Sequence, residues 1–172
     1  MDALECILTR KSTKRYKSDA VPKEYIEKIV EAGKAAPTGM NKQSPIILAV
    51  TNKQVRDELS ALNAKAAGME NADLFYGAPV VLVVLAKKDV MTHLYDGALV
   101  MGNMLHAAHA LGLGACWVHR AKETFEMPEG KALLKKLGIE EEYEGIGNCI
   151  VGYPDGEPQA KEKKKDWVYY VD

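Results

Sequence analysis

The segment Val80–Ala86 reads VVLVVLA and is apolar at all seven of its positions. A short run rich in β-branched residues predicts a strand, and the lack of any polar alternation predicts that other elements cover both of its faces. Such a strand belongs in the middle of a sheet. The flanking sequence must therefore supply the neighbouring strands and the covering helices.

The next apolar segment along the chain predicts a buried helix. Small and apolar residues recur at steps of three and four, namely Leu94, Ala98, Met101, Leu105, Ala108 and Gly112. The other faces of this helix are mostly apolar too, and in a chain of this size a second subunit often completes such burial, so a dimer is expected. Asn103, His106 and His109 interrupt the segment, which argues against a membrane span.

Cap and turn signals predict the remaining elements. Helices are expected after four capping or opening residues: Asp2, Pro22, Asn52 and Pro128. Further strands are expected at 46–50, 115–119, 146–153 and 167–171, which gives five strands once the tail is counted. Strands and helices alternate without a regular βαβ rhythm, and 172 residues suit one domain spanning positions 1–172.

Composition narrows the possible functions. The formal net charge of −1 offers no general attraction to nucleic acid or to an anionic membrane. Cys6, Cys116 and Cys149 are odd in number and widely spaced, which fits neither a disulfide framework nor a zinc site. The acidic start of the chain is unlike a secretory signal. A cytoplasmic protein is expected.

Two clusters of cations are candidates for binding an anion. The run RKSTKR, residues 10–15, combines four cations with two hydroxyls, a mixture suited to a phosphate monoester. The alternative is a solvated basic end of a helix. A second cluster, with Lys161, Lys163, Lys164 and Lys165, is by itself typical of a solvated tail. The anion hypothesis gains strength if the two clusters meet.

Other motifs for chemistry are missing from the sequence. His106 and His109 could share a metal, but a third ligand is not apparent, and no metal is expected. Gly112 and Gly114 follow a helix and do not form a dinucleotide fingerprint. The sequence contains no Walker motif and no nucleophile elbow. This combination fits an enzyme whose chemistry belongs to a bound cofactor.

Four motifs together resemble the nitroreductase family of flavin enzymes along the whole chain. They are RKSTKR at 10–15, AAPTGMNKQSP at 35–45, AHALGLGACWV at 108–118 and GYPDGEP at 152–158. The resemblance implies an α+β fold with a mixed sheet flanked by helices. It also implies an intertwined homodimer, in which each C-terminal strand joins the partner's sheet and two FMN sites lie at the interface.

The resemblance assigns site residues by position. The phosphate and ribityl chain of FMN would be bound by Arg10, Lys11, Ser12 and Lys14, together with Lys161 and Lys163. The loop that the opposite subunit lays against the isoalloxazine ring would contain Pro37, Thr38, Gly39 and Asn41, with Gln43 nearby. Asn71 would contact the polar edge of the ring. The face near N5 would be lined by His119, Arg120 and the segment 128–130.

The resemblance also implies the reaction. NADH or NADPH would reduce FMN, and a small electron-poor acceptor such as a nitroaromatic or a quinone would then take the electrons in a ping-pong cycle. No catalytic side chain is required, although Lys14 would support the charge of the reduced flavin at its N1/O2 edge. The alternatives are an FMN storage or carrier protein, and a flavoenzyme with another electron donor such as ferredoxin.

The sequence departs from the family pattern around the acceptor pocket. Ser44-Pro45-Ile46 stands where many members of the family have Pro-Trp. The segments 52–79 and 120–145 also leave little chain for helices that could cap the pocket. An open and permissive pocket is therefore expected.

Overall fold

A computed structural model describes residues 1–159 and 162–171 of the chain. Within these ranges, the strands are β1 (Pro45–Val50), β2 (Val80–Lys87), β3 (Gly114–Val118) and β4 (Tyr143–Gly152). The helices of the same ranges are α1 (Ala3–Thr9), α2 (Lys23–Lys34), α3 (Lys53–Ala66), α4 (His93–Ala110), α5 (Ala121–Glu126) and α6 (Pro128–Lys136). The predicted α+β fold class is confirmed.

The strands form one sheet in the order β1-β2-β4-β3, and all three pairs of neighbours are antiparallel. A parallel bridge between Ser12 and Ala115 adds the segment after α1 beside β3. Residues 81–86 of β2 are completely buried, as their composition predicts. Alternate side chains of β2 face two apolar clusters, one formed with α2 and α4 and the other with α3, α5 and α6.

The predicted cap residues lie where the helices begin. The Asp2 carboxylate accepts a hydrogen bond from Glu5 N at 2.9 Å, and the Asn52 side chain accepts one from Val55 N at 3.1 Å. Pro22 directly precedes α2, and Pro128 is the first residue of α6. These residues satisfy or remove backbone donors that a helix N-terminus leaves free.

The predicted packing face of α4 is partly wrong. Leu94, the first residue of the predicted seam, is 48% exposed, whereas Gly97, Val100 and Met104 are buried. A Cβ atom at Gly97 would lie 2.5 Å from Cγ1 of Ile146, so α4 packs on the sheet where its small residues allow close approach. Apolar periodicity could not select this face, because nearly every face of the helix is apolar.

Residues 167–171, predicted as a strand that joins the partner's sheet, form no strand within the single chain. Residues 162–171 contain no strand, and the side chains of 167–171 are between 58% and 96% exposed. A strand needs a neighbouring edge to pair its backbone groups, so the exchange of this segment onto a partner's sheet stays a prediction. Separately, no helix in the described part of the chain is long and apolar enough to cross a membrane.

Candidate functional site

The RKSTKR segment leaves α1 and lies against the sheet. Thr13 N donates to Ala115 O at 3.1 Å, and Lys17 N donates to Tyr153 O at 2.9 Å. The approach to β3 is so close that a Cβ atom at Gly114 would lie 2.6 Å from Thr13 Oγ1. The buried Thr13 side chain therefore anchors the segment, while the cations on either side of it keep access to solvent.

The two cationic clusters meet at one cavity. Its volume is about 940 Å³, and its wall includes Arg10, Lys11, Ser12, Lys14, Lys163 and Lys164. The chain turns back towards the first cluster at Asp155, whose carboxylate lies 3.1 Å from Nη2 of Arg15. Glu157 and Glu162 also line the cavity. The anion hypothesis is strengthened by this arrangement, while Lys161 lies outside the described residues.

Arg10 provides a donor that is ready for an anion. Its Nη1 atom is buried and has no hydrogen-bond partner within the described part of the chain. An unpaired buried guanidinium nitrogen is unfavourable, and an anionic oxygen would satisfy it with a charge-assisted hydrogen bond. Together with the ammonium groups of Lys11 and Lys14 and the Ser12 hydroxyl, this donor fits a phosphate monoester.

Lys14 contacts an aromatic side chain from a distant part of the sequence. Its ammonium lies 5.7 Å from the centre of the Tyr76 ring, within range of a cation–π interaction. Tyr76 has a left-handed backbone with φ of 53°. The loop between α3 and β2 thus reaches the cationic segment at Tyr76.

The Asp73 carboxylate holds that loop in place. It accepts four hydrogen bonds, from Arg56 Nη2, Ser60 Oγ, Phe75 N and Gly77 N, at distances between 2.7 and 3.0 Å. Burial disfavours the charged carboxylate, but the hydrogen bonds from Arg56, Ser60 and Gly77 outweigh this effect and lower the pKa of Asp73. The ionised form of Asp73 therefore stabilises the loop that carries Tyr76.

Asn71 does not line the cationic cavity. It has φ of 71° and lines a separate cavity of about 470 Å³ with Arg56, Ser60 and Asp73. It belongs to the loop that brings Tyr76 to Lys14. Its contact with the polar edge of the flavin stays a prediction.

The loop between α2 and β1 packs on the first turn of α4. Gly39 N donates to Oδ1 of Asp96 at 2.9 Å, and Gln43 N donates to Thr38 Oγ1 at 3.1 Å. The Gln43 side-chain amide donates to Asn41 Oδ1 at 3.0 Å. Pro37, Asn41 and Gln43 are exposed. The loop is therefore internally bonded and presents one side to solvent.

This loop and the cationic segment contact opposite ends of α4. Thr9, beside the cationic segment, lies 2.9 Å from Nε2 of His109, whereas Gly39 contacts Asp96. Asp96 and His109 are thirteen positions apart in α4, which corresponds to about 20 Å along the helix axis. No residue of the predicted ring-contacting loop, 37–43, lines the cationic cavity of its own chain.

The residues predicted near N5 lie apart from the cationic cavity. His119 and Arg120 are exposed after β3, and Arg120 has φ of 78° and an ion pair with Glu123 at 2.7 Å. Residues 128–130 serve packing between helices: Glu129 pairs with Lys65, and a Cβ atom at Gly130 would lie 2.2 Å from Thr124 O. Their proximity to N5 stays a prediction.

The described residues contain no obvious nucleophile or metal centre. Burial raises the pKa of the Cys149 thiol to about 12, which keeps it protonated. Within positions 1–159 and 162–171, no group of three or more His, Cys, Asp or Glu side chains could hold a metal ion. The site offers electrostatics and shape, as a cofactor-dependent enzyme requires.

Two residues of the site escaped the sequence-based prediction. Asp96 is 3% exposed and is the one acidic residue between positions 94 and 118, a signal that could have identified it. Tyr76 had no comparable signal, because its contact with Lys14 joins residues 62 positions apart.

The chain is similar to known oxidoreductases over most of its length. The model of the Nitroreductase family matches residues 7–153. A Methanothermobacter thermautotrophicus protein with the provisional name NADH dehydrogenase/NAD(P)H nitroreductase is 28% identical over 168 residues, covering 94% of this chain and 82% of that protein. The NADPH-flavin oxidoreductase of Vibrio harveyi is 25% identical, covering 94% and 70% respectively. The crystal structure of a nitroreductase with bound FMN from Bacteroides fragilis has a TM-score of 0.91, with 26% identity and 100% coverage of both chains.

Proposed function

The chain belongs to the nitroreductase family, and we propose that it is an FMN-dependent oxidoreductase that transfers electrons from NADH or NADPH to small electron-poor acceptors. Nitroaromatics and quinones are the proposed acceptor classes. The relatives named as NAD(P)H-dependent enzymes and the FMN-bound structure support the donor and the cofactor.

The meeting of the two cationic clusters at one cavity carries the proposal. Arg10 contributes a buried donor without a partner, and Lys11, Ser12, Lys14 and Lys163 line the same space. We propose that these residues bind the FMN phosphate and ribityl chain, with Lys161 completing the set. A charge-assisted hydrogen bond contributes about 1.5–3 kcal/mol, so a few of them anchor a nucleotide firmly.

The protein contributes binding and electrostatics to the reaction. When bound, FMN supplies the redox chemistry, accepting electrons from the nicotinamide and giving them to the acceptor. Lys14 is proposed to offset the negative charge that develops at the N1/O2 edge. We propose that donor and acceptor bind in turn, in a ping-pong sequence.

A homodimer with shared sites is part of this proposal. Large apolar side chains are exposed on α1 and α4 and in the tail: Leu4, Ile7, Leu8, Leu94, Tyr95, Leu99, Trp167 and Val168. Apolar surface of this extent is typical of an interaction site. A second copy would cover it and would bring its Pro37–Gln43 loop to the cationic cavity, which this loop does not reach within one chain.

The loop sequence favours an acceptor pocket with loose specificity. Ser44 is 1% exposed and Pro45 begins β1, so the chain enters the sheet directly after the loop. Ile46 is half-buried against the core and contributes no exposed aromatic wall. The proposed acceptors are accordingly flat, electron-poor molecules that are selected more by redox potential than by polar contacts.

The visible absorption spectrum of the purified protein tests this function. Yellow protein that is bleached by NADH or NADPH without oxygen is the expected result. Yellow protein that resists both nicotinamides but is bleached by dithionite would contradict the donor and favour ferredoxin or FMN storage. Colourless protein that cannot be reconstituted with FMN would overturn the proposal.

A further inference from the structure

The Thr38–Gln43 loop holds an unfavourable backbone. Met40, Asn41 and Gln43 have φ angles of 50°, 53° and 49°. Residues with a Cβ atom rarely adopt this left-handed conformation, and it persists only where the surrounding structure enforces it. The Met40 side chain is 77% exposed, so burial of that side chain does not provide the enforcement.

Asp96 provides a contact that can enforce the loop conformation. Its carboxylate is 3% exposed, and each of its oxygens has one donor: Gly39 N at 2.9 Å and Thr92 Oγ1 at 2.9 Å. Burying a carboxylate is unfavourable unless hydrogen bonds compensate. The hydrogen bonds from Gly39 N and Thr92 Oγ1 supply this compensation, and one of the two comes from the loop.

Gly39 fixes the loop at a second contact on the same helix turn. A Cβ atom at Gly39 would lie 2.4 Å from Thr92 Oγ1. The loop backbone at Gly39 therefore lies closer to α4 than a residue with a Cβ atom at this position would allow. The Gln43 N–Thr38 Oγ1 bond then closes the far end, which leaves Met40, Asn41 and Lys42 projecting to solvent.

We propose that Asp96 is a positioning residue, which holds the Thr38–Gln43 loop in one strained shape so that the loop meets the isoalloxazine ring of the partner's flavin already organised. That the loop meets a flavin rests on the proposed function. That Asp96 holds the loop does not. Preorganisation of this kind lets the contact form without ordering the loop at each turnover.

Amide hydrogen exchange of the full chain without flavin tests the hold itself. Asp96→Ala removes both acceptors and is expected to accelerate exchange of the Gly39 amide by about tenfold or more. In Asp96→Asn the side-chain oxygen can still accept from Gly39 N and the amide can donate to Thr92, so exchange should stay near the wild-type rate. Unchanged exchange in Asp96→Ala would overturn the proposal.

The flavin-loaded protein tests what the hold is for. Asp96→Ala should still bind FMN, but the visible circular dichroism of the flavin should change and kcat should fall about 10- to 100-fold, with Asp96→Asn restoring both. Leu59→Ala, a core change on the opposite face of the sheet, should lower Tm and leave the flavin spectrum unchanged. Faster exchange together with an unaltered spectrum and kcat would show that the loop serves stability alone.

A second variant covers the case in which Asp96→Ala does not fold. Gly39→Ala pushes the loop away from Thr92 while the carboxylate remains, and it should reproduce the changes in exchange, flavin spectrum and kcat. An unchanged Gly39→Ala protein would overturn the proposal. Wild-type protein that cannot bind FMN would overturn the proposed function, and the exchange experiment would still decide whether Asp96 holds the loop.

Discussion

The ammonium of Lys14 lies 5.7 Å from the ring centre of Tyr76, and this contact joins the cationic segment to the loop that Asp73 stabilises. The position of the Lys14 charge therefore depends on a loop between α3 and β2, far from the phosphate-binding residues in sequence. Changes at either residue should alter the electrostatics of the flavin, while Arg10, Lys11 and Lys163 remain in place for the phosphate.

Lys14→Ala should slow reduction of the flavin more than it lowers stability. The exposed side chain contributes little to packing, whereas its charge is proposed to stabilise the reduced flavin. We expect a decrease of about 10- to 100-fold in the reduction rate measured by anaerobic stopped flow, with Tm nearly unchanged. Lys17→Ala, an exposed cation beyond the cluster, is the control, and unchanged reduction kinetics in Lys14→Ala would remove Lys14 from this role.

Tyr76→Leu should have a smaller effect, and one that depends on Lys14. An exposed cation–π contact contributes about 0.5–1 kcal/mol, so a decrease of about two- to fivefold in the reduction rate is expected. In the Lys14→Ala background the same substitution should have almost no effect, because the cation is absent. Additive effects in this double-mutant cycle would mean that Tyr76 acts independently of Lys14.

Arg10→Ala should weaken the binding of FMN and leave the binding of riboflavin unchanged. The buried Nη1 atom is proposed to bind the phosphate, which riboflavin lacks. A loss of about 10- to 100-fold in FMN affinity is expected from one charge-assisted hydrogen bond, with riboflavin affinity unchanged in a fluorescence titration. Lys23→Ala, an exposed cation at the start of α2 and outside the cavity, is the control. Equal losses for both ligands would argue against phosphate recognition by Arg10.

Mixing two impaired variants, at an FMN concentration too low to load Arg10→Ala, should restore activity if the sites are shared between protomers. Arg10→Ala damages the cavity of its own chain, whereas Gly39→Ala damages the loop that would serve the partner. A mixed dimer would contain one intact site, so equal amounts after exchange of subunits should regain about a quarter of wild-type activity. If both elements came from one chain, every site would keep one defect, and the mixture would stay at the level of the parents.

The stability contribution of Asp73 should depend on pH. Because its pKa is lowered in the folded state, its contribution is complete above the unfolded value of about 3.9 and is lost as pH falls through the folded value. The difference in Tm between wild type and Asp73→Asn should be constant above about pH 5 and shrink below about pH 4. A constant difference for Asp73 down to acid pH would contradict this origin.

Much of the fold could be predicted because single residues carry strong local signals. The uninterrupted apolar run of β2 predicts burial on both faces, and Asp2, Asn52 and Pro128 begin helices for reasons contained within one turn. The packing face of α4 could not be predicted in the same way. Its apolar residues surround the helix, and the close approach of Gly97 to Ile146 exists only after the sheet has formed.

The candidate site could be predicted where its charged residues are adjacent in the sequence. It could not be predicted where tertiary contacts bring distant residues together. Arg10 and Lys14 stand in one motif, and the resemblance names their positions. The left-handed backbone at Met40 and Gln43 depends on the contacts that hold the loop on α4. The conformational preferences of Met and Gln do not predict it. Residues 167–171 form no strand in the single chain for a related reason, because high β-propensity does not supply an adjacent strand to pair with.

The exposed tail, residues 167–171, affects how the newly made chain behaves before it meets a partner. Trp167, Tyr169 and Val171 are 68%, 82% and 96% exposed in the single chain. A protomer in this state exposes a segment of strand-forming composition. Such a segment can pair with the sheet edge of an unrelated protein before it meets a second copy. In the proposed homodimer a second copy would cover this segment, so mass action would set the amount of protected protein: dilute protomers would remain targets for chaperones and proteases, and concentrated ones would be protected by assembly.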